Sequence, residues 1–248
     1  MEWEGELKGA LVSSAGNLPP NGVVLFSGGL DSSLIALLAR NLGKKISLFS
    51  SGIRGSHDYY WSREAASILK MPLKFLEQGE KDVIEGLRDV KRVTGENNAM
   101  TLLIELPLYF SCKNSEEDVM ISGQGADELF QGYKKYETID SSEIDLNTVI
   151  NKMTRLDALI AEKFGKEVTY PYLESRVVSV ARAIPRDLKI REGQRKFILR
   201  TVAENMGLDS RIAWKPKKAA QYSTGFKKIV EGISKRSGME VHQFISSL

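Results

Sequence analysis

The chain has 248 residues, 42% hydrophobic and 27% charged, the balance of an ordinary globular protein long enough to bury a substantial core in one domain or two. A net charge of +3 is too small to argue for nucleic acid by itself, and no stretch approaches a membrane span. The start MEWEGEL does not read as a signal peptide, and a single cysteine, Cys112, rules out an intrachain disulfide, which fits a reducing cytoplasm.

Residues 5–15 predict a short helix, stopped by the Asn17–Gly22 turn with its two prolines. Val23 to Phe26 is a short, uncharged, β-branched run suited to a buried parallel strand. It stops on Ser27-Gly28-Gly29, and a helical pattern follows, with Asp31 or Ser32 as its cap and Gly43 at its end. A strand, a Gly-rich turn and a helix N-terminus together aim backbone N–H groups at an anion, and a phosphate chain is the ligand such a nest suits. No Lys follows Gly29, so this is no Walker loop, and Gly28-Gly29 lacks the spacing of a dinucleotide fingerprint.

Lys45–Ser51 predicts a second strand and Leu73–Leu76 a third. Tyr59–Lys70, Asp82–Val93 and Asn98–Cys112 predict helices, the last with Pro107 inside it. Cys112 sits in this apolar stretch and reads as core. His57 reads as a surface histidine in a polar turn and His242 as part of a frayed terminus. With no Cys/His cluster, a structural zinc site is not expected.

Val119–Ile121 is a further strand ending at Ser122-Gly123, with Gly125, Asp127 and Glu128 beyond. Alternating strand and helix signals predict an α/β fold, an open parallel sheet flanked by helices. Two polar, Gly-rich strand ends can build one site across its carboxyl edge. Asp31 and Asp127 would face one another there and share a Mg²⁺ completed by phosphate oxygens. From about residue 140 no further strand is expected. Helical patterns at 146–164, 177–183, 195–204 and 226–233 predict a helical C-terminal lobe packed on the sheet. Residues 1–248 then form one domain, with an α/β part over about 20–138 and the lobe over about 140–248.

SGGLDSS at residues 27–33 resembles the pyrophosphate loop SGGxDS of the ATP pyrophosphatases, and SGQGADELFQGYKKY at 122–136 is similar to SGEGADELFGGYxxY in the synthetase domains of asparagine synthetases and β-lactam synthetases. Gly165-Lys-Glu167 with Tyr170-Pro171-Tyr172-Leu173-Glu174 resembles the family's GxExRxPFLD. Lys196 and Arg200 in KFILR resemble KxxLR, and Trp214, Lys217 and Gly225 resemble its W/RxK…SxG segment. The likeness covers roughly residues 20–230.

The resemblance implies an adenine nucleotide α-hydrolase-like fold and a ligase that uses ATP and Mg²⁺. A carboxylate is activated as its acyl-adenylate with release of pyrophosphate, and ammonia or an amine displaces AMP. It assigns Ser27, Gly28, Gly29, Asp31, Ser32 and Gly123 to the pyrophosphate, and Phe49, Ser50 and Ser51 to the adenine. Lys217 falls to the phosphates and to catalysis, Asp31 and Asp127 to the metal, and Gln124 and Asp127 to the reacting groups. Gln124 stands where the family has Glu and offers no base. Thr169 stands where it has Arg, for which Arg176 or Arg155 would substitute.

Full-length asparagine synthetases carry a glutaminase domain whose nucleophilic Cys follows the initiator Met; here Glu2 does. The nitrogen donor is then expected to be free ammonia, an amine or a separate glutaminase subunit, and a homodimer is an open expectation. Two other readings remain: an enzyme of the same ATP chemistry acting on a tRNA base, favoured slightly by the basic 215–228 segment, and a non-catalytic ATP-binding regulator.

Overall fold

A computed structural model describes residues 2–138, 146–216 and 220–248. The first helix, α1 (Glu2–Gly16), precedes β1 (Asn21–Leu25), α2 (Leu30–Asn41), β2 (Lys45–Gly52), α3 (His57–Leu69) and β3 (Leu73–Glu77). Two long helices, α4 (Glu80–Thr94) and α5 (Ala99–Asn114), lead to β4 (Val119–Ile121), the single turn α6 (Ala126–Leu129), α7 (Leu146–Glu162) and β5 (Glu167–Thr169). Five strands pair in parallel in the order β3-β2-β1-β4-β5. This is the open parallel sheet flanked by helices that the alternating pattern predicts.

Strand alternation sorts the sheet's side chains between two cores. Val24, Leu48 and Ile121 face one core, with α1, α2 and α3. Val23, Phe49 and Met120 face the other, with α4 and α5. Pro107 lies inside α5, which Asn98 caps through Oδ1 to the Met100 and Thr101 N–H groups. Cys112 is buried in the second core, as expected, and burial pushes its thiol up to about 12.

The expectation of no strand beyond residue 140 is corrected by β5. Its register sets Ile121 opposite Thr169, and Ser122 N–H donates to Thr169 O at 2.9 Å. Glu-Val-Thr is too short to carry a periodic signal and holds one apolar residue, so only its partner strand reveals it. The remainder is helical: α8 (Ser175–Ala183), α9 (Arg186–Lys189), then, after a two-residue hairpin of β6 (Ile190–Arg191) and β7 (Gln194–Arg195), α10 (Phe197–Asn205), α11 (Ser210–Ala213), α12 (Ala220–Ser223), α13 (Phe226–Arg236) and α14 (Val241–Ser247). This lobe covers both faces: α8 and α10 pack in the first core, α13 and α14 in the second. Among the described residues no helix is long and apolar enough to cross a membrane.

Candidate active site

The strand order reverses between β1 and β4, so the connections leaving these two strands diverge and open a crevice at their carboxyl ends. The first wall is the turn from Phe26 to Gly29. Gly28 has φ +72°, and a Cβ there would come within 2.9 Å of both Ala65 and Trp61. Trp61 Nε1 donates to Gly28 O at 2.7 Å and locks the turn. The sequence predicts Asp31 or Ser32 as the cap of α2. Gly29 occupies the cap position instead, and no side chain caps the helix. Ser27 Oγ accepts from Gly29 N–H at 3.3 Å, and Ser32 Oγ lies 3.5 Å from Ser27 Oγ. An N-terminus left uncapped by side chains has N–H groups free to meet an anion.

The second wall is the Ser122–Gly125 turn after β4. Ser122 Oγ accepts from Gln124 N–H at 3.2 Å. A Cβ on Gly123 would lie 3.3 Å from Asp31 Cβ, so the two turns touch. Asp31 and Asp127 do converge, and Lys196 stands between them. Its Nζ donates to Asp31 Oδ1 at 2.8 Å and Oδ2 at 2.7 Å, and reaches Asp127 Oδ1 at 2.8 Å. The lysine begins α10 from a left-handed conformation, φ 56°. Burial pulls its ammonium below the ordinary lysine value, opposed by Asp31. Gly132 is indispensable to the arrangement, because a Cβ there would overlap Asp127 Oδ1 and Lys196 Cε.

Two connected lobes open from Ser27, Asp31 and Asp58. One, of about 160 Å³, is lined by Gly29, Trp61, Lys196, Arg200 and Lys215, a set suited to a polyphosphate. Lys215 Nζ sits 3.3 Å above the Trp61 ring, and Arg200 Nη1 holds the Ala213 and Lys215 carbonyls. The other lobe, of about 230 Å³, takes in Phe49, Ser51, Gly123, Gln124, Asp127 and the buried acids Glu105 and Asp157.

The crevice therefore gathers Ser27, Gly29, Asp31, Ser32, Phe49, Ser50, Ser51, Gly123, Gln124 and Asp127, while Gly28 supports the turn from behind. Lys217 lies outside the described residues. Arg176 does not replace the missing arginine, since its guanidinium lies against Gly9 of α1; Arg155 is exposed. His57, read as a surface residue, lines the smaller lobe. It opens α3, with Nδ1 3.2 Å from Asp58 Oδ1, and Asp58 in turn accepts from Ser223 Oγ at 2.8 Å. A Gly-Ser-His-Asp turn gives no cue that α3 starts at the site.

The two carboxylates fit a divalent cation. They already converge on one charge, and they keep 22% and 15% of their side-chain surface toward the crevice, against 3% for the lysine beneath them. Among the described residues no group of three or more His, Cys, Asp or Glu side chains is placed to hold a metal ion.

The Asparagine synthase family profile matches residues 19–158 and 140–237. An archaeal protein of Methanocaldococcus jannaschii, provisionally named asparagine synthetase 1 (glutamine-hydrolyzing), is 29% identical over 98% of this chain and 53% of its own length. The nodule asparagine synthetase of Pisum sativum is 30% identical over 82% of this chain and 39% of its own, and the Gallus gallus asparagine synthetase 27% over 79% and 38%. The chain thus spans about half or less of the relatives it matches. A predicted subunit of a tRNA methyltransferase from M. jannaschii overlaps it with a TM-score of 0.38 and 15% identity, covering 80% of this chain and 94% of that one, too slight a likeness to bear on function. With the profile running through both glycine-rich turns and on past Lys196, the chain belongs to the asparagine synthase family.

Proposed function

We propose that the chain is an ATP-dependent ligase that splits ATP to AMP and pyrophosphate and joins a carboxylate to ammonia or an amine. The observation that carries this reading is the crevice where two uncharged glycine-rich turns meet the Asp31–Lys196–Asp127 cluster, with Arg195, Arg200 and Lys215 adding positive charge to the smaller lobe. ATP would lie with its phosphates at the N-terminus of α2 and its base toward Phe49 and Ser51. The substrate carboxylate attacks the α-phosphorus and pyrophosphate departs. Lys196, Arg200 and Lys215 face the charge that builds on it, where prepositioned cations lower the barrier most. Mg²⁺, held by Asp31 and Asp127, would neutralise phosphate charge when bound.

The acyl-adenylate then meets a nitrogen nucleophile in the larger lobe. Free ammonia, a primary amine or ammonia delivered by a separate glutaminase would serve. Incubating the purified chain with ATP, Mg²⁺, ammonium and a panel of amino acids, and resolving nucleotides by chromatography, tests the reading. AMP and pyrophosphate in equal amounts, dependent on one acid of the panel, is the expected result. ADP with orthophosphate overturns it.

A further inference from the structure

Glu105 is a carboxylic acid in the middle of an apolar helix. Leu102, Leu103, Leu106 and Leu108 around it are core, and Glu105 itself is 2% exposed. Asp157 of α7, 5% exposed, lies beside it, and two neighbouring buried carboxyl groups do not both stay ionised, so one of them keeps a proton. Tyr170 Oη donates to Asp157 Oδ2 at 3.0 Å. Glu105 Oε1, by contrast, is buried without a hydrogen-bond partner among the described residues. Both acids line the lobe that holds Gln124 and Asp127. As packing, the pair is a poor choice, because apolar residues of the same volume would cost less. A buried acid with one unpartnered oxygen, in the wall of a cavity, points to a ligand that donates a hydrogen bond.

We propose that Glu105 and Asp157 form the acceptor subsite of the bond-forming step, binding the incoming nitrogen as an ammonium or primary alkylammonium and retaining one of its protons. The proposal rests on the ligase reading above. The singly protonated pair carries one negative charge and becomes a neutral diacid on taking a proton from the ammonium. The freed nitrogen lone pair forms the C–N bond to the adenylate carbonyl carbon. The carbon–oxygen bond to the phosphate breaks, and AMP leaves with that electron pair and with the second N–H proton on its phosphate. Gln124, in the same lobe, holds but cannot accept. Desolvation, with each acid beside the other, raises Glu105 well above the ordinary carboxyl value, and burial raises Asp157 too, so both shifts favour the protonated form. The other titratable groups facing the pair are Tyr170, Cys112 with Lys166, and Glu96, itself matched by Lys152 at 2.8 Å.

The test compares wild type with Glu105→Gln, Asp157→Asn and Glu105→Asp in three measurements. Thermal unfolding is followed with methylammonium against tetramethylammonium, which has no N–H to donate. Pyrophosphate–ATP exchange reports adenylation without an acceptor, and amide formation from ammonium is followed against pH. Methylammonium alone should stabilise the wild type, and Glu105→Gln should weaken that effect about tenfold or more. Exchange should stay within about twofold, the KM for ammonium should rise, and the pH dependence of kcat should lose one ionisation, partly restored in Glu105→Asp. Equal effects of the two ammonium salts on the wild type overturn the subsite while leaving ligase activity standing. Exchange and amide formation falling together, with a lowered melting temperature, would make the pair a structural brace and overturn it too. A wild type that binds methylammonium but forms no AMP would instead defeat the ligase reading and leave the subsite.

Discussion

Lys196→Met is the substitution that interrogates the cluster most sharply. Methionine fills the same space and removes only the charge, so packing is nearly conserved. The carboxylates of Asp31 and Asp127 both lie within 2.8 Å of the lysine nitrogen, which puts them about 5.5 Å apart or closer. Two like charges at that distance repel by about 3 kcal/mol at an effective dielectric constant of about 20. That is the lower end of the about 3–5 kcal/mol measured when one partner of a buried pair is deleted, as befits carboxylates that keep some solvent. Urea unfolding of the variant at neutral pH should therefore show a loss of about 3 kcal/mol. The deficit should shrink on acidification, because protonating either carboxylate removes the repulsion, and it should shrink on adding Mg²⁺, which the freed pair can take up. A deficit under about 1 kcal/mol, or one indifferent to both acid and Mg²⁺, would refute the reasoning that Lys196 neutralises a converged carboxylate pair.

Gly132→Ala drives a methyl group onto Asp127 Oδ1 and Lys196 Cε. Pyrophosphate release should fall by at least about tenfold with a far smaller change for alanine at Gly5 of α1, where a Cβ meets nothing within 4 Å; equal effects would remove Gly132 from the site. Lys217→Met should lower kcat by about 10²–10³ with little change in KM if the lysine faces the departing pyrophosphate, and an unchanged kcat would return it to solvent. Cys112, its thiol pushed up to about 12 by burial, should react with a disulfide reagent at neutral pH only after denaturant is added; rapid labelling of the native protein would contradict its place in the core.

The first glycine-rich turn was open to reading because its signal is local: an apolar strand, two glycines and a helix within a dozen residues. The second turn was legible for the same reason, and the convergence of Asp31 with Asp127 followed from the switch point. Lys196 stood in the recognisable run KFILR, yet its place between the carboxylates depends on a contact spanning 165 residues, which no pattern encodes. Glu105 reads in sequence as an interruption of an apolar run, and only the arrival of α7 beside α5 makes it half of an acid pair. The start of α2 departs from the capping rule, because Gly29 takes the cap position ahead of Asp31 and Ser32 and brings no side chain to it.

Whether an acyl-adenylate forms is decided by where one oxygen goes. With the substrate acid labelled with ¹⁸O in its carboxylate, attack on the α-phosphorus and later release of AMP must carry one labelled oxygen into the AMP phosphate. Mass spectrometry of the recovered nucleotide should find that label in AMP and none in pyrophosphate. Unlabelled AMP, or label appearing in orthophosphate beside ADP, would contradict the mechanism.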